Sequence, residues 1–295
     1  MLKLIKIMPM DLLYSFVLAV SGFAIGFVGG MVGLVLGVVR FPVVMNVEPS
    51  LSITAGTNLG VSTLGAITAS IRHYRQRNIQ LHTFTILTAT GAVGAFLGSF
   101  LTGYIPVPLL LTVIGVIVLY ESFVMLRGFR VNNKKPFDNN KHIGHGKELS
   151  SDAVSDNCKN REENIQVHTA KRLIILESAI GFGVGVLGGL VGLILGSIRM
   201  PAMISILRME PKVAVGTNLA AASVMGVSGL IGHIINNNID YSILVIMGSG
   251  AMVGGYLGAR YTDRFSERTL KHIIGLVLIV VAFTMFSQIF ELELI

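Results

Sequence analysis

The sequence predicts an all-α polytopic membrane protein made of two homologous repeats, and three observations carry that prediction. Of 295 residues, 52% are hydrophobic and only 13% charged, with a mean hydropathy of +0.72; soluble domains carry roughly 25% charge. Eight long apolar segments stand in two groups of four around a polar centre, and helices of about 20 residues are what a hydrocarbon core of about 30 Å requires. The second group repeats the first. A transmembrane β-barrel is excluded because its strands are alternating segments of ~10 residues with aromatic girdles, whereas these runs are continuous and the chain has no Trp.

The first segment, 12–39, ends in GGMVGLVLGVVRFP (29–42), and its counterpart, 173–198, runs into GGLVGLILGSIRMP (188–201). At 28 residues a single helix over 12–39 would reach ~42 Å, more than a bilayer core needs, so it either tilts or folds back at Gly29-Gly30 as a re-entrant hairpin. Lys3 and Lys6 before an apolar run suggest a signal peptide, but no small-residue cleavage site follows and the run is duplicated in the second half. It reads as mature structure.

The second segments, 53–71 and 213–235, share Gly56-Thr57-Asn58-Leu59 with Gly216-Thr217-Asn218-Leu219. His73 matches His233, and Asn78-Ile79 matches Asn238-Ile239. Third segments at 84–104 and 241–259 share Gly94 and Gly98 with Gly254 and Gly258; fourth segments fall at 107–126 and 270–290. Duplication on this scale defines two units, 1–127 and 171–295. Between them, 128–170 is rich in Asn, Lys, Ser, Asp and Glu with little apolar periodicity, which predicts a soluble cytoplasmic linker.

Charge placement bears on topology. If all eight segments span from a cytoplasmic N-terminus, eight of the 23 Lys and Arg residues lie outside. If instead the first segment of each half is re-entrant and the N-terminus is outside, only Lys3, Lys6 and Arg40 do. Three full spans per half then place the halves in opposite orientation, as inverted repeats. The formal charge of +7 serves this sorting rather than nucleic acid, since the basic residues flank apolar segments.

The candidate site lies in the duplicated motifs. Arg40 and Arg199 close the glycine-rich segments, where a charge is costly unless it meets protein, water or a ligand. A guanidinium presents a planar fork suited to oxyanions, although an arginine at a helix end could also snorkel to the interface. Gly37 and Gly196 sit at the expected breaks in the helices, which expose amide donors to an anion. Thr57, Asn58, Thr217 and Asn218 could cap the second helices or complete the pocket. The runs 91–98 and 250–258 could serve helix packing. His73 and His233, near loop ends, fit interfacial positions better than a proton relay.

These motifs resemble the sulfite exporter family of the TauE/SafE type. The resemblance rests on Pro42, Pro49, Ala55 with Gly56 to Leu59, and Gly91 to Ala95; in the second half on Pro201, Pro211, Ala214 with Gly216 to Leu219, and Gly250 to Gly255. It covers the chain apart from the linker. It implies a multi-pass protein of a prokaryotic plasma membrane that moves small sulfur-containing anions such as sulfite or sulfonates. The chain departs from the pattern with Asn58 and Asn218 where the family has Ser, with thinner glycine runs, and with the two arginines before Phe41-Pro42 and Met200-Pro201.

A secondary transporter working by alternating access is the first expectation, with a channel-like pore as the alternative and a membrane sensor or enzyme third. No nucleophile and base set or nucleotide-binding loop is present, so no enzymatic role and no cofactor are expected, and uphill transport would draw on a proton or ion gradient. His142, His145 and His168 are irregularly spaced in the linker, and no metal is expected. Cys158, the single cysteine, excludes an internal disulfide. The expected partners are a small anion, a coupling proton or ion and the lipid bilayer, with no nucleic acid; an oligomer is compatible with the sequence.

Overall fold

The computed structural model describes residues 12–127, 174–201, 203, 204, 207, 209–261, 279 and 283. The linker with Cys158 and its three histidines, and nearly all of the expected segment 270–290, lie outside the described residues. Among those described, every regular element is helical and no strand occurs. In chain order they are α1 (Leu12–Val32), α2 (Gly37–Val47), α3 (Leu51–Arg75), α4 (Leu81–Leu101), a 3-10 turn (Thr102–Tyr104), α5 (Val107–Arg127), α6 (Ile174–Val191), α7 (Gly196–Pro201), α8 (Pro211–Ile235) and α9 (Tyr241–Arg260).

Five of these are long and apolar enough to cross a membrane: 13–32, 81–104, 174–191, 212–235 and 241–260. Their outward faces carry large apolar side chains such as Phe16, Leu97, Phe182 and Val245, as a lipid environment permits. The more polar α3 does not join the five, because it is lined with Gly, Ser, Thr and Asn. Of its 25 residues 15 are buried, packed among α8, α9 and α1, so protein rather than lipid covers it.

The first segment is a helix followed by a break, and the break falls at Gly33 rather than at Gly29-Gly30. α1 runs through both earlier glycines to Val32, and Gly33 then takes φ +76°, a left-handed conformation that favours glycine. The amides of Gly33 and Leu34 both donate to the Gly29 carbonyl and close the helix end. Gly192, at φ +69°, does the same for α6, with Leu193 donating to Gly188. The chain then doubles back. Val44 on α2 packs with Leu18 on α1, and Arg40 lies beside Gly26 and Gly29. At 21 residues α1 reaches about 31 Å, so the outgoing arm alone is long enough to cross.

Both glycines serve packing instead: Gly29 makes room for the Leu34 carbonyl of its own hairpin, and Gly30 faces the other half. A Cβ on Gly22, Gly26 or Gly30 would strike the backbone of Met247, Ala251 or Gly255 on α9 within 2.2–2.7 Å. From the α9 side, Gly250, Gly254 and Gly258 meet the carbonyls of Ala19, Phe23 and Phe27. α6 repeats the arrangement on α4: Gly181, Gly185 and Gly189 approach the carbonyls of Leu87, Gly91 and Ala95, and Gly94 and Gly98 approach those of Phe182 and Val186. Small residues let these backbones approach closely in a solvent without a hydrophobic driving force between helices. The runs 91–98 and 250–258 are therefore packing surfaces, and the first helix of each half is held by the third segment of the opposite half.

The centre is the contact of α3 with α8, and its register is antiparallel. Gly56 meets His233, Leu59 meets Gly229, Gly60 meets Leu230 and Thr63 meets Gly226. By contrast α1, α3 and α9 run parallel to one another, as do α4, α6 and α8, judged by the same contacts.

Candidate functional site

Each Gly-Thr-Asn triplet is used in full by the opposite half. α3 begins at Leu51 and α8 at Pro211, so Thr57, Asn58, Thr217 and Asn218 sit about two turns inside their helices and are not caps. A Cβ on Gly56 would lie 1.9 Å from the Asn238 carbonyl, and one on Gly216 2.0 Å from that of Asn78. Only glycine admits those turns. Two residues beyond, the Asp240 amide donates to Thr57 Oγ1 at 2.8 Å and the Gln80 amide to Thr217 Oγ1 at 3.0 Å. Asn58 Nδ2 donates to the Gly192 carbonyl, and Asn218 Nδ2 to the Gly33 carbonyl, each at 2.9 Å. The carbonyls freed where the two hairpins break are thus satisfied from across the molecule.

The arginines lie behind these breaks. Arg40 is 2% exposed and Arg199 1%, so neither reaches an interface, and the snorkelling alternative does not describe them. Arg40 Nη1 donates to Ser62 Oγ at 2.8 Å, while its Nε has no partner. Arg199 Nε donates to Asn218 Oδ1 at 3.1 Å, its Nη1 points at Met225 Sδ, and its Nη2 has no partner. The difference follows from one position: Ser62 in the first half corresponds to Ala222 in the second. Lacking that hydroxyl, Arg199 takes the carboxamide, whereas Asn58 Oδ1 stays buried and unpaired. Among the described residues no carboxylate hydrogen-bonds to either guanidinium.

Gly37 and Gly196 open α2 and α7 against these groups. A Cβ on Gly37 would stand 2.7 Å from Ser62 Oγ and 3.2 Å from Asn58 Nδ2, and one on Gly196 2.7 Å from Asn218 Nδ2. Each arginine lines its own cavity of about 20 Å³. Gly26, Gly29, Ser62, Gly65 and Leu219 wall the one at Arg40; Gly185, Gly188, Met225, Gly226 and Leu59 wall the one at Arg199. Space on that scale admits about one water. The two arginines thus line equivalent cavities, each walled by the leucine of the other half's Gly-Thr-Asn-Leu, while Gly37, Gly196, Thr57, Asn58, Thr217 and Asn218 are not among the lining residues.

His73 and His233 are not interfacial. They are 1% and 0% exposed, and His233 Nε2 is 3.0 Å from the Gly189 carbonyl. Their proximity to loop ends in the sequence concealed that the helices they end are walled in by the other half. Sequence reading also missed Glu177, a buried carboxylate on α6 whose repeat-equivalent position, Leu18, is apolar. Comparing the two halves position by position was the available signal.

The family described as Sulfite exporter TauE/SafE matches residues 18–285 of this chain. The chain belongs to that family. Relatives of this TauE/SafE protein include one named "Probable membrane transporter protein YdhB" from Bacillus subtilis (strain 168), 27% identical over 268 residues that cover 90% of this chain and 96% of the relative. A second from that organism, "Probable membrane transporter protein YunE", is 24% identical and covers 90% of this chain and 94% of its own length. A "Probable membrane transporter protein" of Xylella fastidiosa (strain 9a5c) is 26% identical, over 88% of this chain and 89% of the relative. No solved structure matches the chain. The TauE/SafE protein is accordingly a multi-pass membrane transporter acting on a small-molecule substrate in a lipid bilayer.

Proposed function

We propose that the protein is a secondary transporter of small sulfur-containing anions of the sulfite and sulfonate type, working by alternating access, with Arg40 and Arg199 as the anion ligands. One observation carries the reading: two fully buried guanidinium groups at equivalent positions, each with an N–H that has no protein acceptor. A buried charge left unpaired costs several kcal/mol, and an oxyanion with several acceptor lone pairs removes that cost. Gly37, Gly196, Thr57, Asn58, Thr217 and Asn218 set the geometry around the two forks. The cavities of about 20 Å³ at the two arginines are smaller than such an anion, so binding there requires the lining to move. The antiparallel register of α3 and α8 supports inverted repeats, with the linker and the 72–77 loop cytoplasmic.

Arginine-to-lysine exchange tests the ligands. Lys keeps the charge but loses the fork, and a charge-assisted hydrogen bond is worth ~1.5–3 kcal/mol, or roughly 10- to 150-fold in affinity. Calorimetric binding of sulfite and methanesulfonate to wild type, Arg40→Lys, Arg199→Lys and the two Gln variants should show losses of that size at both positions. Unchanged affinity in both Gln variants would remove the arginines from the site.

A further inference from the structure

The two halves share their packing pattern so closely that a single polar exception stands out. Leu18, Val44 and Val61 of the first half pack with Ile243 and Met247 of the second in one apolar cluster. The repeat-equivalent positions are Glu177, Met203 and Ala221 in the second half and Thr83 and Leu87 in the first. Leu87, Met203 and Ala221 again share one apolar cluster. The leucine and isoleucine have been replaced by a carboxyl and a hydroxyl, and these two meet: Thr83 Oγ1 donates to Glu177 Oε1 at 3.2 Å.

Glu177 is 5% exposed and is the only buried carboxylate among the described residues. Its Oε2 is buried without a partner. An ionisable side chain inside a membrane helix is expensive, and apolar residues fill this place in the sister half without loss of packing. Structure alone therefore does not account for the pair. We propose that Glu177, with Thr83, is the proton-binding site that couples transport to a proton gradient; this rests on the transporter reading above.

The chemistry selects a proton over a metal cation. Hard cations take roughly six or more oxygen ligands, whereas here a carboxyl meets one hydroxyl, and among the described residues no group of three His, Cys, Asp or Glu side chains could hold a metal ion. The hydroxyl supports the carboxyl in either state: it donates to Oε1, leaving Oε2 to gain or lose the proton. Among the described residues no charged side chain hydrogen-bonds to either oxygen, and the buried Arg199 of α7 stands further along, against Gly185 and Gly188 of α6 and Met225 of α8. On α6 Glu177 is the only titratable residue; on α4 the only one is His82, which is exposed. On α8, Lys212 is exposed and His233 lies at the far end against Gly189. Between α7 and α8, Glu210 is exposed, and Arg208 lies outside the described residues.

Two variants test this, Glu177→Gln and the double Thr83→Ile/Glu177→Leu, which installs the pair that Leu18 and Ile243 already form at the repeat-equivalent place and so should fold. Infrared difference spectra of purified protein need no substrate. Wild type should show a carboxylic acid band whose strength depends on pH and which both variants lack. If the titrating band is the same in wild type and variants, the site is refuted. In proteoliposomes, a gradient of one pH unit should drive methanesulfonate, whose charge does not titrate, to an accumulation of up to about tenfold per coupled proton. Both variants should accumulate it about onefold while still exchanging labelled for unlabelled anion. Gradient-driven accumulation persisting in both variants would overturn the coupling role. If wild type moves neither methanesulfonate nor sulfite, the substrate reading fails, and the infrared band alone decides the proton site.

Discussion

Asn58 and Asn218 occupy equivalent positions, yet replacing them by alanine should have unequal effects. Asn218→Ala removes the buried hydrogen bonds to the Gly33 carbonyl and from Arg199 Nε, besides a long one of 3.5 Å to the Gly196 carbonyl that adds little. A neutral bond contributes about 1 kcal/mol and one to a charged group ~1.5–3 kcal/mol, giving a loss of roughly 2.5–4 kcal/mol. Asn58→Ala removes the bond to the Gly192 carbonyl but also eliminates an unpaired buried oxygen, Oδ1, so the two effects oppose each other and the net is roughly 0–1 kcal/mol. The gap of at least ~1.5 kcal/mol corresponds to roughly 3 °C or more in melting temperature for a chain of this size. Detergent-solubilised variants heated in steps and scored by size-exclusion chromatography measure it directly. In an Arg199→Met background the gap should shrink, because the charged bond is already gone. If Asn58→Ala melts as low as Asn218→Ala, the asymmetry argued from Ser62 and Ala222 is wrong.

Gly192→Ala should lower the yield of monodisperse protein more than Gly33→Ala: both residues have left-handed backbone, but the new Cβ meets the Ala55 backbone at 2.1 Å in one case and the Val215 side chain in the other. Equal yields would show that the side chain cannot give way. Cysteines at Arg77 and Asn237, both exposed at equivalent turns, should react with an impermeant reagent from opposite sides of the membrane in a Cys158→Ser background. Labelling from one side would refute inverted repeats. Deleting 139–157 should leave flux near the wild-type level, since a segment of that composition cannot bury a core; lost flux with normal insertion would assign the linker a part in gating.

The duplication, the membrane class and the equivalence of Arg40 and Arg199 were legible because they rest on residue type and spacing within one stretch. What stayed hidden depended on partners more than a hundred residues away. Gly29-Gly30 and Gly33 look equally able to break a helix; only α9 pressing on Gly30 explains why the break comes at Gly33. Thr57 and Asn58 have the composition of a cap, but α3 starts earlier, and their hydrogen-bonding groups go to Asp240 and Gly192. The nearness of His73 and His233 to loop ends pointed to interfacial positions, but it says nothing about a covering helix from the other half.

The dependence of α1 on α9 also sets an order of events during synthesis. At roughly 5–20 residues per second, the ribosome needs about 11–46 s after completing α1 to complete α9. Throughout that interval the face carrying Gly22, Gly26 and Gly30 stands in lipid with a groove shaped for a helix that does not yet exist. On a crowded polysome the α9 of a chain further along is available sooner, so high expression should favour exchange of α1 between neighbouring chains.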